Sequence, residues 1–472
     1  MADNQNTGTT NIRYPTDYNL KTLNLISPLQ PEGVSLMPFM IELNLFEDLY
    51  GSTVSGEIVL QDSLGLISSY GLNGTEFLQV QLQKTSTDTY FYSRNFRVYR
   101  VGKRVIGDNN DYEVFTLLFC SEEFMLSEQY RVSKSFKGQQ ISTIVNIILN
   151  TYLKTQKTIT IKPTNGVYDF ILPNKKLFET INWLSTYAQS QSSVGDYVFF
   201  ENSYGYYFTT LSSLYEASVY GNYKFDPKNV SDDLNQQVNN VTDFEVLNFY
   251  DNLAGITNGT FANKVITFNV LQRTKDTSNG VFNYSNYLSS SPSTLNKGTI
   301  INDYKNRFGV NMYSMPPVTI PGLETGCLRM ASGNAGDKLS TGVIARKAVD
   351  SVSNDIMIEK YLPNRVGKLA LINYTKIKVT IPGDPNMCVG KIINFSTYRI
   401  EPAVFSQGQS NATRTPDPLY SGKYLVTAVR HIVKNNSYIT VMEMCKDSNS
   451  GSIAQFDNNN SSLNNMVKGV QI

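Results

Sequence analysis

The sequence predicts a mainly β protein with an α+β insertion: two related antiparallel β-barrel domains plus a small α+β domain. Three observations carry that expectation. Tyr (30) and Phe (24) lift the aromatic content to 12% while charged residues fall to 17%, below the usual ~25%, a bias that suits strands. Apolar residues alternate with period two over most of the chain and switch to a helical period in one stretch. A hairpin pattern near residue 100 is echoed near residue 430.

The 472 residues are enough for roughly three folding units at about 100 to 200 residues each. Forty-one basic against forty acidic side chains leave a formal charge of +1, so no global attraction to nucleic acid or an anionic membrane is encoded. A hydrophobic content of 41% excludes disorder throughout. The N-terminus lacks a charged-then-apolar pattern and no window holds the ~18 apolar residues of a membrane span, so a soluble protein made in a cytosol is expected. Cys120, Cys327, Cys388 and Cys445 form no C-x-x-C pair, which argues against a zinc module or disulfide framework and for small buried hydrophobes.

His431 is the single histidine, so His-rich metal sites cannot be built and any His-dependent base would have to be this residue. Its setting in residues 424–438 is that of a hairpin, and the expectation is a structural residue at a strand end. Phosphate-binding loops, nucleophile elbows and Rossmann fingerprints are missing. The acidic pairs Glu47-Asp48, Glu122-Glu123 and Asp232-Asp233 are expected to split across strand faces or to be solvated in loops. An enzyme is therefore not expected, and no catalytic, cofactor-binding or metal-binding residue is assigned.

Residues 1–14 read as a flexible polar arm. In 39–46, Ile41, Leu43 and Leu45 alternate with Glu42, Asn44 and Phe46; 50–56 reads as a turn and 57–62 as a strand. In 77–84, Leu78, Val80 and Leu82 alternate with glutamines, as in a sheet with one wet side. With the two strands of 96–120, residues 15–130 form one antiparallel barrel or sandwich. Ile141, Ile144, Val145, Ile148, Leu149 and Tyr152 then make a helical stripe, and Leu177, Ile181, Leu184 and Ala188 a second one, with Pro173 just before or at its first turn. Trp183 on that helix reads as packing. A hairpin over 196–211, turning at 201–205, completes an α+β unit over 134–217.

Residues 226–240 read as a linker. Strands at 241–249 and 264–271 place the start of a second barrel at 236–285, and 286–362 is an accessory insertion with a helix at 337–350. Sheet signals return from Gly367, so 363–446 completes the second barrel. Residues 401–421 read as an exposed loop, and a low-complexity tail occupies 447–472.

The repeat is the most informative feature. Residues 96–106, an Asn-Asn turn and 112–120 match 424–433, a second Asn-Asn turn and 438–445, and the preceding strand opener at 74–82 resembles 390–395. Two related barrels follow.

The chain also resembles a known family, on residues 46–51 (FEDLYG) with 61–66 (QDSLGL), 74–78 (GTEFL), the helix-then-hairpin of 172–211, 250–268 (YDNLAGITNGTFANKVITF), and 367–372 (GKLALI) running through Pro382-Gly-Asp to 390–393 (GKII) and the final hairpin. Their order resembles the central hub protein of contractile-tailed bacteriophage baseplates, the gene-product-27-like group of T-even phages, related in fold to the hub part of type VI secretion spikes. The resemblance implies a virion tail protein, assembled in the host cytoplasm: a homotrimer whose tube-like barrels make a pseudo-sixfold ring joining a sixfold tail tube, or tube-initiator protein, to a threefold central spike. It further implies contacts with baseplate wedge proteins and the tape measure protein, DNA only in transit through a lumen, no membrane partner and no cofactor. Extra length around 289–340 and 401–419 departs from the T-even hub. A receptor- or carbohydrate-binding tail protein and a spike-associated cell-wall hydrolase are the alternatives.

Overall fold

The computed structural model describes residues 14–28, 30–84, 92–107, 111–191, 195–227, 237–269, 274–276, 281–284, 294–296, 328–332, 345–347, 358–398, 416–434 and 436–450. The N-terminal part is built from β1 (Asn19–Ser27), β2 (Gln30–Ser35), β3 (Met40–Asp48), β4 (Ser55–Asp62), the short helix α1 (Leu66–Tyr70), β5 (Phe77–Gln83), β6 (Tyr92–Ile106) and β7 (Glu113–Ser121). They lie in the order β3-β4-β7-β6-β5-β1-β2, every pair antiparallel. Period-two patterning sets the faces: Ile58 and Leu60, Leu78, Val80 and Leu82, and Phe115, Leu117 and Phe119 all point into one core with Leu23, Leu25 and Phe96, as alternation requires.

The chain then changes architecture. It runs through α2 (Glu122–Gln129), β8 (Arg131–Val132), β9 (Ser135–Gln139), α3 (Ile141–Ile147) extended by a π turn over Ile148–Tyr152, β10 (Thr158–Ile161), β11 (Tyr168–Ile171), β12 (Lys175–Lys176), α4 (Leu177–Ser185), β13 (Tyr197–Asn202), β14 (Gly205–Thr210) and α5 (Leu211–Tyr215). The helical stripe expected from Ile141, Ile144, Val145, Ile148 and Leu149 is buried as a row, packed with Leu177, Ile181, Leu184 and Ala188 in a second core. Trp183 joins that core edge-on to Phe170 and Tyr187, at 6.0 and 5.2 Å between ring centres. Pro173 is not at the first turn of α4. The helix starts at Leu177 with Lys176 as its N-cap, because Asn174 at φ +48 turns the chain and Lys175–Lys176 first pairs with β8.

The remaining elements are β15 (Val219–Phe225), β16 (Asp243–Phe249), α6 (Asn252–Asn258), β17 (Ala262–Asn269), β18 (Thr274–Asp276), β19 (Val281–Asn283), β20 (Leu328–Ser332), β21 (Ala345–Lys347), α7 (Ile358–Leu371), β22 (Thr375–Pro382), β23 (Ile392–Thr397), β24 (Gly422–Lys434) and β25 (Ser437–Lys446). The large sheet takes β16-β22-β25-β24, with β23 on β24 and β15 parallel to β23, whereas β17 to β20 make a separate small sheet. Several expectations need correction. Ala345–Lys347 is a strand, not part of a helix over 337–350, because it satisfies the free edge of β11; the rest of that stretch lies outside the described residues. Gly367 belongs to α7 rather than to a strand, since Tyr361, Arg365 and Lys368 fall at helical spacing and all three reach inward. Ser448 and Asn449, expected to begin a tail, are buried, and Ser448 accepts from the Asn296 N–H at 2.8 Å. Residues 228–236 of the expected linker, most of the 286–362 insertion, 401–415 of the loop, 451–472 of the tail and the arm before Tyr14 also lie outside the described residues.

The two halves of the large sheet are joined by β24 and β3, antiparallel from Ala428 opposite Asp48 to Lys434 opposite Glu42. The result is one 13-stranded sheet over two main cores, one around Leu43 and Phe119 and one around Ile377 and Met442. Among the described residues no ladder closes either half on itself. Gly56 sets the spacing where β3, β4 and β7 meet: a Cβ there would stand 2.4 Å from the Asn44 carbonyl oxygen and 2.4 Å from Cζ of Phe119. Gly56→Ala is expected to cost about 1–3 kcal/mol by overpacking, read as a lowered urea midpoint at constant slope; an unchanged midpoint would contradict that spacing.

Candidate functional site

The feature that stands out is the sheet itself, because five strands of one half repeat in the other. In the hairpins, Arg97 faces Cys120 as Leu425 faces Cys445, and Val98 faces Phe119 as Val426 faces Met444. The next residue, Tyr99 or Thr427, is bulged out in both, and pairing resumes with Arg100 opposite Leu118 and Ala428 opposite Glu443. A bulge bends a strand at one defined place, so its recurrence at the same register goes beyond shared alternation. The preceding strands match too. Phe77 and Leu78 pair with Arg97 and Phe96 as Ile392 and Ile393 pair with Leu425 and Tyr424. The Val98 N–H donates to the Glu76 carbonyl at 3.0 Å and the Val426 N–H to that of Lys391 at 2.9 Å. Gly74 and Gly390, which open the two strands, share a φ of +87°, a conformation that costs glycine little. On the other flank β3-β4-β7 corresponds to β16-β22-β25.

Buried polar clamps hold the α+β unit against this sheet. The Glu201 carboxylate on β13, fully buried, accepts from the Val54 N–H (3.0 Å), the Ser121 hydroxyl (2.9 Å) and the Lys157 ammonium (2.6 Å). Lys157 also reaches Glu123 at 2.6 Å, and the Thr155 hydroxyl donates to the same Glu123 carboxylate. Burial works against the charge of Glu123, but the Lys157 ammonium more than offsets it and holds the carboxyl below the usual range. The three parts of the chain meet at Val389: its N–H donates to Glu47 of β3 at 3.1 Å, and its carbonyl accepts from the Asn202 amide at 3.2 Å. Burial pushes the Glu47 carboxyl up to about 8. On the far side, Lys368 of α7 donates to Asp196 (3.3 Å) and the Ser212 hydroxyl (2.6 Å), while Arg365 donates to the carbonyls of Gly195 (2.6 Å) and Tyr197 (3.0 Å).

The residues weighed for chemistry land in structural positions. His431 is buried in β24, with Nδ1 2.8 Å from the Tyr438 hydroxyl, and burial pulls its imidazole down to about 4, so it is neutral at pH 7. Glu47 and Asp48 split across the sheet, one buried and one exposed, as period two requires. Glu122 and Glu123 sit on the first turn of α2 rather than in a strand or solvated loop, and Glu123 turns inward to Lys157. Asp232 and Asp233 lie outside the described residues, as does Cys327; Cys120, Cys388 and Cys445 are buried thiols. Among the described residues no His, Cys, Asp and Glu side chains gather in a metal-binding group, and no helix is long and apolar enough to cross a membrane. Sequence reasoning missed the clamps. The one signal for them is Glu201 itself, a carboxylate directly after the apolar run Tyr197–Phe200 of β13.

Comparison with solved structures places the chain in a class by fold: that of a tail protein. It aligns with the tail protein of Neisseria meningitidis MC58 at a TM-score of 0.51 and 8% identity, over 91% of this chain and 97% of that one. The 43 kDa tail protein of prophage MuSo2 from Shewanella oneidensis aligns at a TM-score of 0.48 and 7% identity, over 90% and 97%. In sequence, the chain is 21% identical over 428 residues, 86% of its length, to a probable baseplate hub protein (gp334) of Vibrio phage KVP40, 89% of which is covered. No family model matches the chain.

Two outcomes test the clamps. Lys157→Met strands two buried carboxylates and is expected to cost about 3–5 kcal/mol, measured by chemical denaturation. Glu47, with a folded pKa raised above its unfolded value, takes up protons on folding between pH 4.5 and about 8, so stability falls as pH rises through that window. Glu47→Gln removes this dependence, and its stability relative to the parent is expected to climb from pH 5 to pH 8. A difference that stays flat across that range would contradict the buried, protonated carboxyl.

Proposed function

We propose that this chain is a structural baseplate hub of a phage contractile tail. Three copies form a pseudo-sixfold ring, each contributing two tube-like β-barrel units, one from 15–130 and one from 236–285 with 363–446. The ring adapts the sixfold tail tube, or a tube-initiator protein, to a threefold central spike, nucleates the baseplate with wedge proteins, and leaves a lumen for the tape measure protein and for DNA in transit. The α+β unit of 134–217 braces it. The protein resides in the virion tail after assembly in the host cytoplasm, works without a cofactor and performs no catalysis.

The observation that carries this reading is the duplicated five-strand unit with its shared bulge. A chain built from two like units is suited to a ring whose local symmetry is twice its copy number. Support comes from the hub protein similar to this chain along most of both lengths and from the tail-protein fold. A net charge of +1 suits a ring through which DNA slides without being held. The receptor- or sugar-binding alternative is not favoured by the helix pair of the α+β unit and by the duplicated five-strand unit. Negative-stain electron microscopy of the purified chain is expected to give threefold averages with six lobes around a central hole. Compact particles without a lumen, or fibres, would refute the hub reading.

A further inference from the structure

Strand β25 runs out into consecutive buried polar residues. Lys446 and Ser448 are fully buried, and Asp447 and Asn449 nearly so. They gather two segments remote from each other in the chain: 294–296, from the accessory insertion, and 416–423, from the end of the expected loop into β24. The Lys446 ammonium donates to the carbonyls of Leu419 (2.5 Å) and Ser421 (3.2 Å) and stands 4.9 Å from the centre of the Tyr424 ring. The Asp447 carboxylate accepts from the Leu295 N–H at 3.1 Å and the Ser448 hydroxyl at 2.7 Å, both on Oδ1, while its buried Oδ2 has no partner. Asn296 then ties the two segments together. Its side-chain amide donates to the carbonyls of Lys423 and Ser448, both at 3.0 Å, and its side-chain oxygen accepts from the Lys423 N–H at 2.9 Å.

Although Lys446 and Asp447 are neighbours in sequence, their charges are spent in different directions. The ammonium turns to Leu419 and Ser421, the carboxylate to Leu295 and Ser448. Around Lys446 the titratable groups are Asp417, which acts from a distance, and the Tyr424 phenol; Thr375, opposite it on β22, brings no charge. Around Asp447 the charged group is Lys368 of α7, which donates to Asp196 and Ser212. A lysine held by carbonyls and an aspartate with one bare oxygen are thus both buried without a counter-ion in contact, and burial of that kind disfavours the charged form. It pulls the Lys446 ammonium down to about 7 and pushes the Asp447 carboxyl up to about 6.

We infer that the end of β25 is a pH-responsive latch, which holds 294–296 and 419–423 least firmly near neutral pH and more firmly on either side. Proton linkage sets the direction. Asp447 binds its proton more tightly in the closed chain than in an opened one, so its hold weakens as pH rises from 3.8 through about 6. Lys446 binds its proton less tightly when closed, so its hold strengthens as pH rises from about 7 toward 10.5. Between these ranges both groups are charged and buried, and the cost of keeping two charges from water is at its largest. Because Asn296 bonds to Lys423 and Ser448 alike, loosening at either residue is felt by both segments.

Hydrogen exchange of the full chain tests the latch, read by mass spectrometry of its peptides from pH 5 to pH 8 and corrected for intrinsic exchange rates. Protection is compared with that of Phe77–Gln83 in β5, remote from the latch. Relative protection over 294–296 is expected to be lowest near about pH 6.5 and to rise roughly five- to tenfold toward pH 5, and that over 419–423 to rise by a similar factor toward pH 8. A ratio that stays constant across the range in the parent chain overturns the inference without any variant. Asp447→Asn is expected to flatten the acid side alone and Lys446→Met the alkaline side alone. A pH dependence that survives unchanged in these variants overturns the assignment of the latch to Lys446 and Asp447.

Discussion

The pairing of β24 with β3 is the contact on which the rest of the architecture depends. It runs over seven residue pairs and joins segments separated by 392 positions at its Lys434–Glu42 end. Without it the two halves of the chain would be two sheets tied only by scattered contacts such as that of Glu47 with Val389. With it, side chains on both faces of β3 become interior, and Leu43, Asn44 and Leu45 are all buried. Polar groups caught there must then be partnered. Asn44 answers Arg430 at 3.1 Å, and Glu47 answers the backbone of Val389. A ladder of such sequence separation carries a loop-closure cost that prior formation of the two hairpins would reduce.

The clamps are best understood as devices for orientation. Burying Glu201, Glu123 and Lys157 together forfeits hydration that their mutual attraction repays only in part. An apolar interface of the same size would hold the α+β unit at least as firmly. It would not hold it at one angle, since apolar surfaces slide, whereas Glu201 is satisfied only when Val54, Ser121 and Lys157 arrive together. The same logic applies where Asp196 gathers Ser212 and Lys368. In the proposed ring this distinction would matter, because angular error accumulates around a circle.

The sequence made the strands legible wherever one face was buried and one wet, as in β5 and β7, and made α3 legible through an unbroken stripe of branched aliphatics. The repeat was legible for the same reason, and even its bulge lies inside the matched segments. What was hidden is of two kinds. Helix α7 carries Pro363 and Gly367, residues that lower helix propensity, and is held by the tertiary contacts of Arg365 and Lys368 instead. The clamps draw Glu123, Lys157 and Glu201 from three separate segments, and pairing among distant charges leaves no periodic trace. The junction belongs to this second kind: neither β24 nor β3 announces the other.

The two repeated units are not identical, and the differences bear on symmetry. Strand β6 has a second irregularity between Val101 and Arg104, where β24 runs without one from Ala428 to Lys434. The first unit is flanked by β1 and β2, whereas the second carries α7, the strand β15 parallel to β23 and the separate sheet of β17 to β20. Equivalent strands therefore repeat every half chain, while the decorations repeat only once per chain. In the proposed ring, a surface formed by the shared strands would present six near-equal faces and a surface formed by the decorations only three. One duplication followed by divergence outside the ladder is thus sufficient, in physical terms, for a single chain to meet a sixfold partner on one side and a threefold partner on the other.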